Sequence, residues 1–190
     1  MNKLLITGAA GFIGSNFVRY WLEKNPEDQI VGLDALTYAG NKSNLKAHLG
    51  EPNFKFVTGS ICDQHLISGL FTEYKINRLV HFAAESHVDR SIDDPNAFIT
   101  TNVVGTQNLL ESARRFWLDN GVDDYLFHHI STDEVYGSLK SKEPAFEESS
   151  RYSPNSPYAA SKAASDHLVR SYHQTYGLKV TTSNCSNNYG

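Results

Sequence analysis

The sequence predicts a doubly wound parallel α/β sheet with helices on both faces, and three observations predict it. Six apolar segments, near residues 3–7, 29–34, 54–58, 78–83, 125–131 and 178–184, read as strands and alternate with helix-compatible segments near 12–24, 63–74, 101–118 and 157–176. The first strand empties into glycines at 8, 11 and 14, the pattern of a strand turning sharply into a helix. The second closes on Asp34, twenty residues beyond Gly14, where a second strand ends in this architecture.

Each element has a local reason. Gly8 allows the tight turn, Gly11 lets backbone approach a pyrophosphate, and Gly14 lets helix and sheet pack closely. Phe12 and Ile13 open the helix, whose free amides form an anion site, and Phe17 and Val18 continue its apolar face. The spacing is GxxGxxG rather than GxGxxG, so a plain glycine-rich turn is the alternative reading. Asp34 is placed to accept the 2′ and 3′ hydroxyls of an adenosine ribose and to repel a 2′-phosphate, which favours NAD over NADP. A surface-turn aspartate is the alternative there.

After the fourth strand comes His81-Phe-Ala-Ala-Glu-Ser-His87. Ala83 and Ala84 are small enough for a dinucleotide to pass close to the strand end, Ser86 is placed to meet substrate, and His87 reads as loop. Stretches around 87–96 and 140–156 read as loops. The fifth strand ends in Ser131-Thr132-Asp133-Glu134, a hydroxyl followed by two acids at the mouth of the expected cleft, a pattern that can divide acid and base work. Ser156 is placed to cap the last helix, with Pro157 in its first turn. Tyr158 and Lys162 are four residues apart and share a helix face, so the lysine charge is expected to stabilise phenolate and lower the phenol's pKa, making it a base toward a sugar hydroxyl.

The whole chain sets the outer bounds. At 190 residues and 40% hydrophobic content it can bury one substantial core, which predicts one domain over 1–190. A net charge of -4 without a basic run argues against nucleic acid as partner. Cys62 and Cys185 form neither a disulfide framework nor a metal-binding pair, and adjacent His128 and His129 point to opposite faces of a strand, so no metal is expected. No secretory leader or membrane-length apolar run is present, which predicts a cytoplasmic chain with no membrane partner. The sequence stops in Asn184-Cys-Ser-Asn-Asn-Tyr-Gly190, a loop leaving a sheet, which reads as a fragment of a longer chain.

Taken together, Thr7-Gly-Ala-Ala-Gly-Phe-Ile-Gly14, Asp34-Ala-Leu-Thr-Tyr-Ala-Gly40, Ala83-Ala-Glu-Ser-His-Val-Asp-Arg-Ser91, Ser131-Thr-Asp-Glu-Val-Tyr-Gly137, Tyr158-Ala-Ala-Ser-Lys162 and Asn184 to Gly190 resemble the extended short-chain dehydrogenase/reductases, and among them the dTDP-glucose 4,6-dehydratase family. The resemblance implies a Rossmann fold, a bound NAD and dTDP-glucose as substrate. It implies cofactor contacts at Gly8, Gly11 to Gly14, Asp34, Leu36, Thr37, Ser60, Ile61, Ala83, Ala84, Thr101, Tyr158, Lys162 and Asn188, and substrate contacts at Ser86, Thr132 and Asn187. Thr132 and Tyr158 would flank the glucosyl 4-hydroxyl, Asp133 would protonate the C6 hydroxyl, and Glu134 would remove the C5 proton. Epimerases and decarboxylases of the superfamily share the glycine turn and the Tyr-Lys pair, which leaves Thr132-Asp133-Glu134 as the discriminating element.

Two departures stand out. Many relatives carry Asp at the position of Ser60, and they run on for well over a hundred further residues that build a nucleotide-sugar lobe. A chain truly ending at Gly190 would act as a cofactor-binding or assembly module with little turnover. The resemblance also implies a homodimer through the helices near 101–118 and 157–176, where Val103, Val104, Leu109, Leu110, Leu168 and Val169 could serve either an interface or the sheet-packing face.

Overall fold

β1 (Lys3–Thr7) carries three consecutive side chains with no exposure, Leu4, Leu5 and Ile6, because both of its faces are covered. The computed structural model, which describes residues 1–189, places it at the centre of a six-stranded sheet with β2 (Gln29–Asp34), β3 (Phe54–Thr58), β4 (Arg78–His81), β5 (Leu126–Thr132) and β6 (Val180–Cys185). All pairs are parallel and the order is β3-β2-β1-β4-β5-β6. The chain builds outward from β1 to β3, then crosses back to lay β4 beside β1. That reversal opens a crevice at the carboxyl ends of β1 and β4.

Alternation along β1 separates the two layers. Leu5 joins Leu33, Leu79 and Phe127 on the face that packs against α2 (Gln64–Tyr74), α5 (Thr106–Asp119) and α6 (Pro157–Tyr176), where Phe71, Trp117 and Val169 fill the space. Leu4 and Ile6 face α1 (Phe12–Lys24), meeting Val18 and Leu22. Trp117 is fully buried, and its indole N–H donates to the Ile76 carbonyl at 2.7 Å. The parallel sheet and the two-sided helical cover are as the sequence predicted.

Several boundaries differ. The stretch 87–96, expected as loop, holds α3 (Val88–Asp93) and the start of α4 (Pro95–Phe98). These helices are too short to show a 3.6-residue apolar period, and Pro95 is tolerated because it stands at a helix start. α4 runs into a π-helical segment, Ile99–Gly105, and then α5, so the expected helix near 101–118 is the last part of a longer helical run. β4 stops at His81, two residues early, because Phe82 and Ala83 bend over the Gly8 turn. Gly190, the last residue of the terminal motif, lies outside the described residues. Among the described residues no helix is long and apolar enough to cross a membrane, and no group of three His, Cys, Asp or Glu side chains could hold a metal ion.

Candidate active site

The turn after β1 is constrained by the protein itself. Gly8 has φ of +69°, and a Cβ there would stand 2.7 Å from the Ala83 backbone nitrogen. At Gly14 an added Cβ would run into the Gly8 carbonyl oxygen, so the close approach this glycine permits is of helix to turn rather than helix to sheet. Gly11 is different, its nearest neighbour standing 3.4 Å away, which is ordinary contact. It opens α1 with no side-chain cap, leaving the first helical amides to face the crevice. That is the donor set a phosphate requires.

Asp34, 8% exposed, ties the neighbouring loops together. Its Oδ2 accepts from the Ala10 amide at 2.9 Å and its Oδ1 from the Leu36 amide at 2.8 Å. Each carboxylate oxygen keeps a further lone pair, so the charge that fixes the turn remains able to meet a diol.

A cleft of about 490 Å³ runs from this turn to the end of β5. It is lined on the turn side by Gly8, Gly11 to Gly14, Asp34, Thr37, Ser60 and Ile61, and in the middle by Ala83, Ala84, Ser86 and Thr101. Thr132, Glu134, Tyr158 and Lys162 line its far end together with Asn187 and Asn188. Leu36 and Asp133 flank the cleft without lining it. Leu36 packs beside the core under α1, while Asp133 receives a long 3.5 Å hydrogen bond from the Thr132 hydroxyl.

The chemistry-bearing end is set by two caps. Thr132 opens the 3-10 turn Asp133–Tyr136, its hydroxyl oxygen accepting from the Glu134 amide at 3.2 Å. Ser156 caps α6 by accepting from the Ala159 amide at 3.0 Å, with Pro157 at the first position, as expected. Burial pushes the Glu134 carboxyl above its ordinary range, and the charge of Asp133 adds to it. A carboxylate so raised is a better base at neutral pH.

The phenol does not follow the sequence expectation. Burial drives Tyr158 up to about 12, Glu134 adds to the rise, and the Thr132 hydroxyl offsets a part of it. Lys162 donates instead to the Ile130 carbonyl at 2.7 Å, and burial lowers it to about 8. The cost of desolvating both groups outweighs the attraction expected from their helical spacing.

Behind this end lies a buried layer that the motifs did not disclose. Thr106 donates to the Asn102 carbonyl, so its oxygen accepts from His81 Nε2 at 2.9 Å, while the Thr7 hydroxyl lies 2.8 Å from His81 Nδ1; burial holds the ring well below its ordinary pKa and so keeps it neutral. Asn102, in the π-helical segment, holds Glu85 through both main-chain groups and donates to the Ser161 hydroxyl at 2.8 Å. Over the cleft's outer wall, Arg90 stacks 3.8 Å above the Tyr38 ring, whose hydroxyl accepts from the Ser86 amide at 3.4 Å.

A sequence model for the family described as GDP-mannose 4,6 dehydratase matches residues 5–190, nearly the whole chain. The chain belongs to that family. Within the GDP-mannose 4,6 dehydratase family setting, it is 51% identical over 199 residues to the dTDP-glucose 4,6-dehydratase of Salmonella typhimurium, covering 99% of this chain and 55% of that protein. A crystal structure of dTDP-glucose 4,6-dehydratase from Streptomyces venezuelae with NAD and TYD bound matches at a TM-score of 0.89 and 50% identity, over 99% of this chain and 56% of that one. UDP-glucose 4-epimerase from Thermotoga maritima, with UDP-glucose, matches at 0.85 with 30% identity, over 99% and 56% of the two chains. The chain thus spans about half the length of the relatives it matches.

Proposed function

We propose that residues 1–190 form the NAD-binding domain, carrying the catalytic residues, of a longer hydro-lyase that converts dTDP-glucose to dTDP-4-keto-6-deoxyglucose and water. One observation carries this reading: Glu134 lines the same end of the cleft as Tyr158 and Lys162, and Asp133, beside it on the same 3-10 turn, is near enough for its charge to act on the phenol. An epimerase needs a base for the sugar hydroxyl but no second acid-base pair, whereas expelling the C6 oxygen needs both a proton acceptor and a proton donor. The similarity at 50% identity to dTDP-glucose dehydratases, against 30% to an epimerase, supports the same choice.

The roles are those the family resemblance implies. Tyr158, with Thr132 holding the same hydroxyl, takes the proton of the 4-hydroxyl as C4 becomes a ketone. The ketone acidifies C5, and Glu134 removes that proton. Asp133 protonates the departing C6 hydroxyl, so water leaves and the C5–C6 double bond forms. Glu134 then returns a proton to C5. NAD, when bound, supplies the acceptor and later the donor of the C4 hydrogen.

The protein fits that cofactor, with the uncapped start of α1 for the pyrophosphate and Asp34 for the adenosine ribose, and Asp34 disfavours a 2′-phosphate. Thr37, Ser60, Ile61, Ala83, Ala84, Thr101 and Asn188 would complete the cofactor wall, with Leu36 flanking it, and Ser86 and Asn187 would meet the sugar. A homodimer through the helices near 101–118 and 157–176 belongs to the same proposal. Leu109, Leu110 and Val169 are committed to the core, whereas Val104 in the π-helical segment and Tyr176 at the end of α6, 46% and 47% exposed, are apolar groups a partner would cover.

Product analysis with the full-length protein, NAD and dTDP-glucose tests the reaction class. The expected product has lost one water and carries a 4-ketone. An epimerised sugar that keeps its C6 oxygen would reject dehydration.

A further inference from the structure

Lys162 is 4% exposed, and a cation so deep requires a counter-charge. The titratable groups around it come from every neighbouring element. β4 supplies His81 and β5 supplies His129, both kept neutral by burial, with His129 lowered to about 4. β6 supplies the Cys185 thiol, and α6 itself supplies Tyr158 and Asp166. Asp133 and Glu134 act on the phenol at the cleft side. Asp166, one helical turn beyond Lys162 on α6, is thus the buried carboxylate whose charge acts on the ammonium, with no direct ion pair between them.

Asp166 is held to remain an anion. His129 Nε2 donates to its Oδ1 at 3.1 Å, and the hydroxyls of Ser131 and Tyr152 each donate to its Oδ2 at 2.8 Å. These bonds overcome the burial penalty and keep the carboxyl below its ordinary range. The donors come from β5 and from the 140–156 loop, so two segments converge on one α6 carboxylate that touches no part of the cleft. Tyr158, Lys162 and Asp166 stand four residues apart on one face of α6, in the order cleft, wall and core.

We infer that Asp166 is a positioning residue for the reaction: clamped by His129, Ser131 and Tyr152, it is the buried counter-charge that keeps Lys162 cationic behind the Tyr158 phenol. This rests on the functional reading above only for its kinetic readout. Lys162 must stay charged to favour phenolate, so activity is lost as pH rises through the Lys162 pKa.

The test uses the full-length protein and the Asp166→Asn variant, whose amide keeps the shape while the hydroxyl rotors of Ser131 and Tyr152 turn to accept. The high-pH limb of the kcat profile is expected to move down by about one pH unit or more. Tyr152→Phe, which leaves the charge, is expected to leave the limb in place. A merely structural role would lower kcat at every pH with the limb unmoved, and that result overturns the inference. Independently of turnover, an NMR titration of lysine labelled at Cε, with Lys162 assigned through Lys162→Arg, should show the same downward shift in Asp166→Asn. An unchanged midpoint there overturns the inference even if the reaction proves different. Should the variant fail to fold, the wild-type protein carries the test, since the Asp166 carboxyl carbon must report an ionised group from about pH 5 to 9. A protonated Asp166 at neutral pH overturns it.

Discussion

Tyr158→Phe is expected to lower turnover by about 10²–10⁴-fold, the usual worth of a positioned acid-base group, with NAD affinity and stability nearly unchanged. The substitution removes one oxygen atom. The ring is 9% exposed and sits edge-on to Phe98 at 6.3 Å, a contact that phenylalanine keeps. Burial that raises the phenol to about 12 favours its neutral form, so phenylalanine leaves no charge uncompensated. Steady-state kinetics with calorimetric NAD titration check the prediction, and a variant with wild-type kcat would remove Tyr158 from the mechanism.

Gly14→Ala is expected to weaken NAD binding about 100-fold or more and to destabilise the fold by roughly 1–3 kcal/mol. The reason is the Gly8 carbonyl oxygen, which the new Cβ would run into. Backbone cannot swing aside as a flexible side chain would, so either α1 lifts off the turn or the turn moves, and Ala83, just past the end of β4, is pressed against that turn. Gly11→Ala is the informative companion. Its nearest neighbour is 3.4 Å away, so the free protein should tolerate the methyl while binding suffers from the cofactor side alone. Thermal unfolding and calorimetric titration of both variants separate the two costs.

The fold was legible because its strands are short apolar runs that stop at glycine, aspartate or hydroxyl residues. Leu4 to Gly8 and Ile30 to Asp34 are clear examples. The helices α3 and α4 were hidden, being four to six residues long and free of a repeated apolar face. At the site, Tyr158, Lys162, Thr132 and Glu134 could be found because each stands in a recognisable local pattern, and the sheet brings all four to one cleft. The phenol's direction of shift could not be read from spacing, since burial decides it and burial is a property of the packed chain. The Asp166 layer was hidden for a related reason: its partners Tyr152, Ser131 and His129 lie 14, 35 and 37 residues away in sequence. The second step of the Tyr158, Lys162, Asp166 spacing was the one signal that could have found it.

The proposed chemistry requires that the hydrogen leaving C4 be the hydrogen that arrives at C6. The direct measurement is to give the full-length protein dTDP-glucose carrying deuterium at C4 and to locate the label in the product by NMR. Deuterium in the C6 methyl group, with a solvent-derived proton at C5, is the predicted result. Deuterium returned to C4 of an epimerised sugar, or a C6 methyl group free of label, would contradict the account.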